Sequence, residues 1–335
     1  MVSRVFPLVL IPLAVACAPL AEVTETPAAE GVSGALFVAG KFGNTLAKVD
    51  LATGARTALV ASCANPHELA TSPDDRHVAL ACYGGTSVDI FRTDGLEKVA
   101  SIELGDNARP HGIVWQDNGD LYATAEGRQS IFWVRDPLGK AETFEYGTGQ
   151  RGTHMLVVAP NARHAWTTDL SSKTVTRVDL LTRRAPQSIE VGIEPEGISL
   201  APDGETLWVS ARGSNEAYMI SPEDLTVRKS VSVGPFPLRI AVRPQGDFAV
   251  TSDLAAGALT VIDAQTGEVA RTIAVSSPQE AEQRQQVTIL WSPDGQRIYV
   301  AETGTDTIAE VDFASGKVLR RLDGGDGGDG LAIIE

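Results

Sequence analysis

The sequence predicts an all-β protein, a seven-bladed β-propeller with four strands in each blade. Strand-like segments rich in Val, Ile, Tyr, Trp and Thr recur seven times, and a turn of the Pro-Asp-Gly kind precedes each. Most lead to a second strand ending at Asp, a Thr-Gly or Ser-Gly turn, and a third alternating strand. Four short strands in a unit of about 40 to 45 residues are typical of a propeller blade. The seven segments are Ala35–Ala39, Val78–Cys82, Leu121–Ala125, Ala165–Thr168, Leu207–Ala211, Phe248–Ser252 and Ile298–Glu302.

The two ends of the repeat region predict that the ring is closed by the C-terminal strand. The repeats begin with the second strand of a blade, at Ala35. They finish with 330–334, which match the innermost strand Gly197–Leu200. The last strand should therefore pair beside 35–39 and complete the first blade, which removes exposed sheet edges. The predicted propeller domain is 35–335.

Two strand motifs resemble a known repeat. Leu207-Trp208-Val209-Ser210 and Ile298-Tyr299-Val300-Ala301, with the Pro-Asp-Gly and Asp-x-x-Thr-Gly turns, are similar to the YVTN-repeat family of seven-bladed β-propellers. The resemblance covers about residues 34 to 335 and implies the fold. It implies no single activity, because propellers host many unrelated functions.

The charge of the chain argues against a nucleic-acid partner. The formal net charge is -15 and the pI is about 4.8. A protein that follows a phosphate backbone would show a basic stripe. We therefore expect a small-molecule ligand or substrate, with a protein partner as a further option.

The N-terminus has the features of an export signal. Arg4 supplies a positive charge, Val5–Val15 is apolar, and Ala14-Val15-Ala16 is a small-residue cleavage pattern. Because Cys17 follows directly, we predict a lipoprotein signal peptide at 1–16, a lipid anchor on Cys17 and a tether over 17–34. Simple secretion is the alternative. Either way the protein is expected to be extracytoplasmic, as a periplasmic membrane-anchored lipoprotein or a secreted protein.

Two cysteines remain after Cys17, and they admit two interpretations. Cys63 and Cys82 form an even pair, which in an oxidising compartment predicts a disulfide. The propeller repeat places both near the same face of one blade. Alternatively Cys63, four residues before His67, is a metal ligand.

One position of the repeat collects ionisable residues. Three of the five histidines occupy it, separated by about 43 residues, and the same position holds Glu196 and Asp329 in other blades. This position begins the innermost strand, which lines the central channel. We call its seven members the channel-mouth ring, which in blade order consists of Asp329, His67, His111, His154, Glu196, Leu238 and Val287. The other two histidines, His77 and His164, follow turns and are expected to lie at the solvated start of a strand.

The polar members of the channel-mouth ring predict a metal centre. Imidazole and carboxylate ligands from separate rigid strands suit a divalent ion, with zinc, manganese, magnesium, iron and copper not distinguished. Such a site would leave a position open for water or substrate. The alternative is that these side chains hydrogen-bond a column of ordered water. The predicted metal ligands are His67, His111, His154, Glu196 and Asp329.

Two further resemblances bear on chemistry. The runs around Pro66-His67, 81–91, Pro110-His111 and 152–154, with Arg239, are similar to the seven-bladed lactonase propellers. That resemblance implies action on sugar lactones or muconolactone-type substrates, with His111, Glu196 and Arg239 as the corresponding catalytic residues. Separately, 109–113 resembles blades of the streptogramin lyases, which use His, Glu and a magnesium ion.

These features predict a hydrolase or lyase acting on a small lactone or ester. A metal bound by the three histidines would polarise the carbonyl and activate a water. Glu196 would act as general base, and Arg239 would orient an anionic group. A non-catalytic binding or scaffold propeller is the first alternative, and a metal-dependent oxidoreductase the second.

Loops on the channel-mouth face supply additional candidates. The loops between second and third strands should open on the same face as the ring. The spacing of the sixth and seventh strand pairs also stretches to about 50 residues through 276–286, where Pro278 and helix-favouring residues predict one or two helical turns. This segment is either a partial lid over the apolar side of the ring or an ordinary surface insertion. The loop candidates are Tyr83, Glu126, Arg128, Asp169, Lys173, Arg212 and Asp253.

Overall fold

The computed structural model describes residues 32–335, and it confirms the seven-bladed propeller. Seven separate antiparallel sheets of four strands each are present in this region. The innermost strands pack beside one another in succession until the last meets the first, so the sheets form a closed ring. The predicted signal peptide and the lipid-anchor residue Cys17 lie outside the described residues, as does most of the tether.

Blade 1 alone contains strands from both ends of the chain. From the channel outwards, blade 1 consists of β28 (Gly328–Ile334), β1 (Ala35–Gly40), β2 (Thr45–Asp50) and β3 (Arg56–Ala61). Blade 2 consists of β4 (Pro66–Thr71), β5 (His77–Cys82), β6 (Ser87–Arg92) and β7 (Lys98–Glu103). Blade 3 consists of β8 (Pro110–Trp115), β9 (Leu121–Ala125), β10 (Ser130–Arg135) and β11 (Glu142–Gly147).

Blades 4 to 7, like blades 2 and 3, each consist of four consecutive strands. Blade 4 consists of β12 (Thr153–Val158), β13 (His164–Asp169), β14 (Thr174–Asp179) and β15 (Gln187–Glu190). Blade 5 consists of β16 (Pro195–Leu200), β17 (Leu207–Ala211), β18 (Glu216–Ile220) and β19 (Val227–Ser232). Blade 6 consists of β20 (Pro237–Val242), β21 (Phe248–Asp253), β22 (Ala258–Asp263) and β23 (Val269–Ala274). Blade 7 consists of β24 (Gln286–Trp291), β25 (Arg297–Glu302), β26 (Thr307–Asp312) and β27 (Lys317–Asp323).

The C-terminal strand closes the ring as the sequence predicts. Strand β28 pairs antiparallel with β1, with Leu36 opposite Ile333 and Phe37 opposite Ala332. The hydrophobic core lies between facing sheets of neighbouring blades. Leu80 of blade 2, for example, packs in one buried cluster with Phe37 of blade 1. The outermost strands are largely exposed, and each buries at most two side chains.

The backbone has the same conformation at the start of every innermost strand. The residue two positions before each member of the channel-mouth ring has a left-handed φ of 49° to 74°. The pairing of the innermost strand with its neighbour then shifts register by a β-bulge near the ring position. A bulge bends the strand and redirects a side chain. The left-handed residues are Gly327, Asn65, Arg109, Gly152, Glu194, Phe236 and Gln285.

The predicted insertion before blade 7 forms a helix. Helix α1 (Pro278–Arg284) begins with Pro at its first turn, and the Glu280 carboxylate accepts hydrogen bonds from the backbone N–H and the hydroxyl of Ser277. A short 3₁₀ helix, Glu126–Arg128, follows β9. No helix within 32–335 has the length and apolar character needed to cross a membrane.

Candidate active site at the channel mouth

The three histidines of the channel-mouth ring lie in contact with one another. The ring centroids of His67 and His111 are 4.7 Å apart, and those of His111 and His154 are 3.7 Å apart at an interplanar angle of 34°. Each histidine is the second residue of its strand, one position later than the sequence predicts. The fold therefore brings together side chains that are about 43 residues apart in the chain.

The loops after the second strands add further groups to the same face, as predicted. Lys41 donates to Asp329 at 3.1 Å, and Glu126 lies 3.2 Å from Nδ1 of His154. The Tyr83 ring packs 4.5 Å from the His67 ring, and Arg212 forms an ion pair with Glu196. Loops of blades 1, 2, 3 and 5 thus contact the polar members of the ring.

Hydroxyl groups hold the backbone of the ring in place between blades. The hydroxyl of Thr124 in blade 3 donates to the carbonyl of His154 at 2.6 Å. Thr168 in blade 4 donates to the carbonyl of Glu196 at 2.7 Å. Because the second strands of blades 3 and 4 anchor the innermost strands of blades 4 and 5, His154 and Glu196 project from a rigid frame.

A buried ion-pair network crosses the channel beside the histidines. Arg239, only 6% exposed, donates to Glu196 at 2.7 Å and to Glu68 at 2.7 Å. Glu196 belongs to the neighbouring blade 5, whereas Glu68 belongs to blade 2 on the far side of the ring. Arg239 therefore spans the channel. It is neutralised by protein carboxylates, which leaves it poorly suited to the predicted role of orienting a substrate anion.

The same contacts define the electrostatics of Glu196. Burial tends to raise its pKa, but His154, Arg239 and Arg212 outweigh burial and lower the pKa to about 2. Glu196 is thus ionised at neutral pH. Because its oxygens contact Arg212 and Arg239, Glu196 suits an electrostatic role, and its role as general base stays a prediction. Glu68 and Glu196 together hold the pKa of Arg239 above its usual range despite burial.

The two stacked histidines have opposite pKa shifts. Burial, and next the positive charge of neighbouring His154, holds the pKa of His111 well below its usual range. Burial also opposes the charging of His154, but its contacts with Glu126 and Glu196 give a net rise in its pKa. His154 Nε2 lies 3.5 Å from Glu196 Oε1. His111 is therefore the neutral imidazole of the pair, and His154 is the one that the carboxylates favour as a cation.

His67 lies at the outer side of this pair. Its Nδ1 is 3.0 Å from the carbonyl oxygen of Asn65, and its Nε2 is 3.8 Å from Asp329. A carbonyl can only accept, so Nδ1 carries the proton of the neutral ring. Burial lowers the pKa of His67, against the opposing charge of Asp329. With 12% of its side chain exposed, His67 is the most accessible of the three histidines to an entering ligand.

The predicted metal ligands do not converge in this arrangement. Within residues 32–335, the one group of His, Cys, Asp and Glu side chains whose ligand atoms all lie within 4.8 Å is Cys63, Cys82 and Asp89. Cys63 and Cys82 are joined in a disulfide, so that group is not a free thiolate site. The histidine rings stack, and Glu196 and Asp329 contact protein cations. The residues present do not fit a metal without rearrangement, and metal binding stays a prediction.

The remaining predicted residues have varied surroundings. Asp169 and Asp253 are fully buried and accept hydrogen bonds from Thr hydroxyls; burial raises the pKa of each to about 6. Arg128 pairs with Glu145 of its own blade, and Lys173 is exposed. His164 lies 4.0 Å from Asp179 at the opposite end of its strand from the mouth.

Two site residues were not identified by sequence reasoning, although the sequence contains a signal for both. Glu68 occupies the position after the ring residue, where three other blades carry Gly112, Gly197 and Gly330. A carboxylate in that position is a departure from the repeat. Lys41 follows β1 as Tyr83 follows β5, so alignment of the loops would have placed it at the mouth.

The ring has a polar arc and an apolar arc. We define the polar arc as Asp329, His67, His111, His154 and Glu196, and the apolar arc as Leu238 and Val287. Both apolar side chains are buried in one cluster with Leu331. Helix α1 lies beside this arc, where its residue Ala281 approaches Gly257 and its residue Gln283 approaches Gly304. The helix thus packs on loops of blades 6 and 7, and a lid role for it stays a prediction.

Comparisons with known proteins identify the family and the fold. A curated relative, antigen Lp49 of Leptospira interrogans, is 28% identical over 197 residues, which cover 51% of this chain. This chain spans only 42% of that relative's length. Hydrazine synthase of Kuenenia stuttgartiensis is similar in structure, with a TM-score of 0.72 and 16% identity over 84% of this chain and 93% of that chain.

A second solved structure is similar over a smaller share of the chain. Virginiamycin B lyase of Staphylococcus aureus has a TM-score of 0.63 and 15% identity, over 74% of this chain and 81% of that chain. At these identities the likeness shows the fold alone. The family model described as lactonase, 7-bladed beta-propeller, matches residues 60–281, about two thirds of the sequence. The chain therefore belongs to the seven-bladed β-propeller lactonase family.

Proposed function

We propose that the channel mouth is an acid–base active site that opens a small lactone or ester. The observation that supports this most directly is the stacked pair of His111 and His154. His154 lies between two carboxylates, 3.2 Å from Glu126 and 3.5 Å from Glu196, whereas no carboxylate of the described residues lies within 4.0 Å of a His111 ring nitrogen. Nδ1 of His111 and Nε2 of His154 each lack a hydrogen-bond partner there. Neighbouring groups whose surroundings favour opposite protonation states are suited to serve as base and acid.

The roles follow from this difference. His111, neutral at pH 7, would accept a proton from water as the water oxygen attacks the carbonyl carbon. Protonated His154 would donate a proton to the ring or ester oxygen as the carbon–oxygen bond breaks. Water and substrate thus become a hydroxy acid, or an acid and an alcohol. His111 is only 2% exposed, so it suits a water molecule, while the substrate body would lie above it against His67 and Tyr83.

Arg109 is the cation best placed to orient an anionic group. It is exposed at the rim, its guanidinium lies 4.5 Å from the centre of the Tyr83 ring, and it donates to the Tyr83 hydroxyl. It forms no salt bridge with a carboxylate within 32–335, although Glu126 lies near enough for the Arg109 charge to act on it. Arg239 has two carboxylate partners instead. We assign the orienting role to Arg109 for this reason.

The test is turnover of a panel of small lactones and esters, followed by acid release. We expect activity in the wild type and its loss in His111→Gln. The matched controls are His77→Gln and His164→Gln, which alter histidines away from the mouth and should retain activity. Structural likeness to a lyase makes elimination the second reaction class to assay. Saturable ligand binding without turnover would overturn the proposal and favour a binding or scaffold protein.

Metal content separates the acid–base reaction from the predicted metal-dependent one. The same preparations are analysed by mass spectrometry and assayed with and without a chelator. Turnover that persists without metal supports the roles given to His111 and His154. Stoichiometric metal, with loss of turnover on chelation, would favour the predicted metal-dependent hydrolase; a redox-active metal would direct assays to oxidations.

We also propose that the protein is exported and anchored through Cys17. The leader-like sequence at 1–16 and the Cys63–Cys82 disulfide support this, because disulfides persist in oxidising compartments. Labelling with a radioactive fatty acid should mark the wild type and leave Cys17→Ser unlabelled. Label that persists in Cys17→Ser would contradict the anchor, and an unprocessed cytoplasmic chain would contradict export.

A further inference from the structure

The Cys63–Cys82 disulfide connects two segments that each lead into the candidate site. Cys63 lies four residues before His67, and Cys82 is the last residue of β5, directly before Tyr83. The rings of His67 and Tyr83 are 4.5 Å apart. The covalent link and the ring contact therefore join the same two segments, only a few residues from each other.

The segment 63–65 also supplies a hydrogen-bond acceptor to His67. The carbonyl oxygen of Asn65 lies 3.0 Å from Nδ1 of His67, and the backbone N–H of Asn65 donates to Asn44 at 2.7 Å. Asn65 has a left-handed φ of 49°. Asn tolerates this conformation better than most residues, so the Asn65 carbonyl can face His67 without marked backbone strain.

A second contact holds this segment against the loop after β5. The backbone N–H of Gly84 donates to the carbonyl of Ala64 at 3.0 Å, and a Cβ on Gly84 would come within 2.7 Å of that oxygen. Residues 63–65 are thus fixed from both sides. In the other six blades the corresponding positions carry no cysteine pair, so blade 2 alone has a covalent link at the mouth.

We propose that Cys63 and Cys82 are positioning residues for the candidate site. Their disulfide holds the Asn65 carbonyl against His67, and thereby fixes the tautomer of His67 and its packing on Tyr83. The inference rests on the proposed function only for its effect on turnover. The β4–β5 ladder and the interblade core maintain the fold without the disulfide, so its loss alters the site before the fold.

Reduction of the Cys63–Cys82 disulfide by a thiol would also alter the site. Cys63 is partly exposed, whereas Cys82 is fully buried. A small thiol reductant would attack the Cys63 sulfur first, and a second thiol would release the mixed disulfide. Two reductant thiols thereby become one disulfide, and Cys63 and Cys82 become free thiols. The site geometry then depends on the redox state of this pair.

The test is histidine side-chain NMR on the full-length protein, with nitrogen-15 in the imidazoles. We compare the wild type, Cys63→Ala/Cys82→Ala and a control, Tyr146→Phe. The control loses a buried hydrogen bond of 2.8 Å to the Leu180 carbonyl, away from the mouth. In the double variant we expect the His67 signals to lose the pattern of a ring protonated at Nδ1 alone. The signals of His77 and His164 should remain unchanged.

The outcomes distinguish a positioning role from a general stabilising one. If a turnover assay is established, we expect kcat/KM to fall roughly tenfold to a hundredfold in the double variant. Failure to find a substrate would count against the proposed function and leave the NMR result valid. Unchanged His67 signals in the double variant would overturn the inference. The inference would also be overturned if the His67 signals changed equally in Tyr146→Phe, or if the signals of all five histidines changed in the double variant. Such a change would reflect a general loss of stability.

Discussion

The polar and apolar arcs of the channel-mouth ring have the same backbone and opposite chemistry. In both arcs a left-handed residue and a β-bulge precede the ring position. The polar arc carries three imidazoles and two carboxylates there, whereas Leu238 and Val287 pack into the core. The propeller thus provides seven equivalent positions, and the side chain alone decides which of them become part of the site.

The two arcs are nevertheless coupled by one residue. Arg239 follows Leu238 of the apolar arc, and its guanidinium reaches Glu196 of the polar arc and Glu68 across the channel. Arg239 is the cation that Glu68 contacts, whereas Glu196 also pairs with Arg212 and lies 3.5 Å from His154. The polar arc therefore depends on a residue that lies outside it.

Removing that cation should have the largest effect. Arg239→Met leaves Glu68 and Glu196 buried near each other with fewer partners, and a broken buried pair costs about 3 to 5 kcal/mol of unfolding free energy. Urea unfolding measures the loss. The control is Arg128→Met, which removes a solvent-accessible pair with Glu145 and should cost less than about 1 kcal/mol. Equal losses of unfolding free energy in the two variants would show that the buried ion pairs of Arg239 stabilise the fold no more than an exposed pair does.

A change within the polar arc should act on activity more than on stability. In His111→Gln we expect turnover to fall about 10²- to 10⁴-fold, the usual contribution of a general base. The wild-type rate should rise with pH as His111 loses its proton and fall as His154 loses its own. His111 should remain neutral to lower pH than His154, because their pKa values shift in opposite directions. A rate that is flat between pH 5 and pH 9 would contradict this assignment.

The buried aspartates provide a test in which both arcs should behave alike. Asp169 lies beside the polar arc and Asp253 beside the apolar arc, and the pKa of each is raised to about 6. Folding therefore favours the protonated form. Their stabilising contribution is complete below about pH 4 and is lost as pH rises through 6, by about 3 kcal/mol each.

The measurement is urea unfolding of the wild type, Asp169→Asn and Asp253→Asn between pH 4 and pH 7. Relative to either variant, the wild type should lose stability as pH rises. The two variants should show the same pH dependence, since both aspartates are buried among Thr hydroxyls. A wild-type difference that stays constant with pH would rule out the raised pKa values.

The smallest effect concerns the apolar arc itself. Val287→Thr keeps the shape of the side chain but buries a hydroxyl in the cluster with Leu331, at a cost of about 1 to 2 kcal/mol. The exposed Val269 of β23 supplies the control, because Val269→Thr should change stability by less than about 0.5 kcal/mol. If Val287→Thr is equally neutral, the apolar arc already contains water or polar partners.

The fold could be predicted because the sequence signals of a propeller repeat are local. The hairpin turns, the strand alternation and the unmatched strand at each end depend on neighbouring residues, and they correctly indicated seven blades and closure of β28 on β1. The helical insertion was also predictable, because Pro278 and Glu280 specify a helix start. Proximity of Cys63 and Cys82 followed from the repeat, and the disulfide confirms it.

Most members of the site could be predicted, with Glu68 and Lys41 as exceptions, but their pairing could not. The repeat placed His67, His111 and His154 in one ring, and these histidines do lie together. It did not show that Arg239 contacts Glu68, because the two residues are 171 positions apart and face each other only across a closed ring. Nor did it show that the imidazoles stack with opposite pKa shifts, which depends on burial and on the carboxylates nearby.

The sequence by itself therefore determined the blades, the order of the ring and the residues that line the mouth. These properties arise from local backbone preferences repeated along the chain. Only the tertiary structure decided which charges neutralise each other and which histidine is kept neutral. Electrostatic energies depend on distances and burial in space, and closing the ring sets both for residues that the chain keeps far apart.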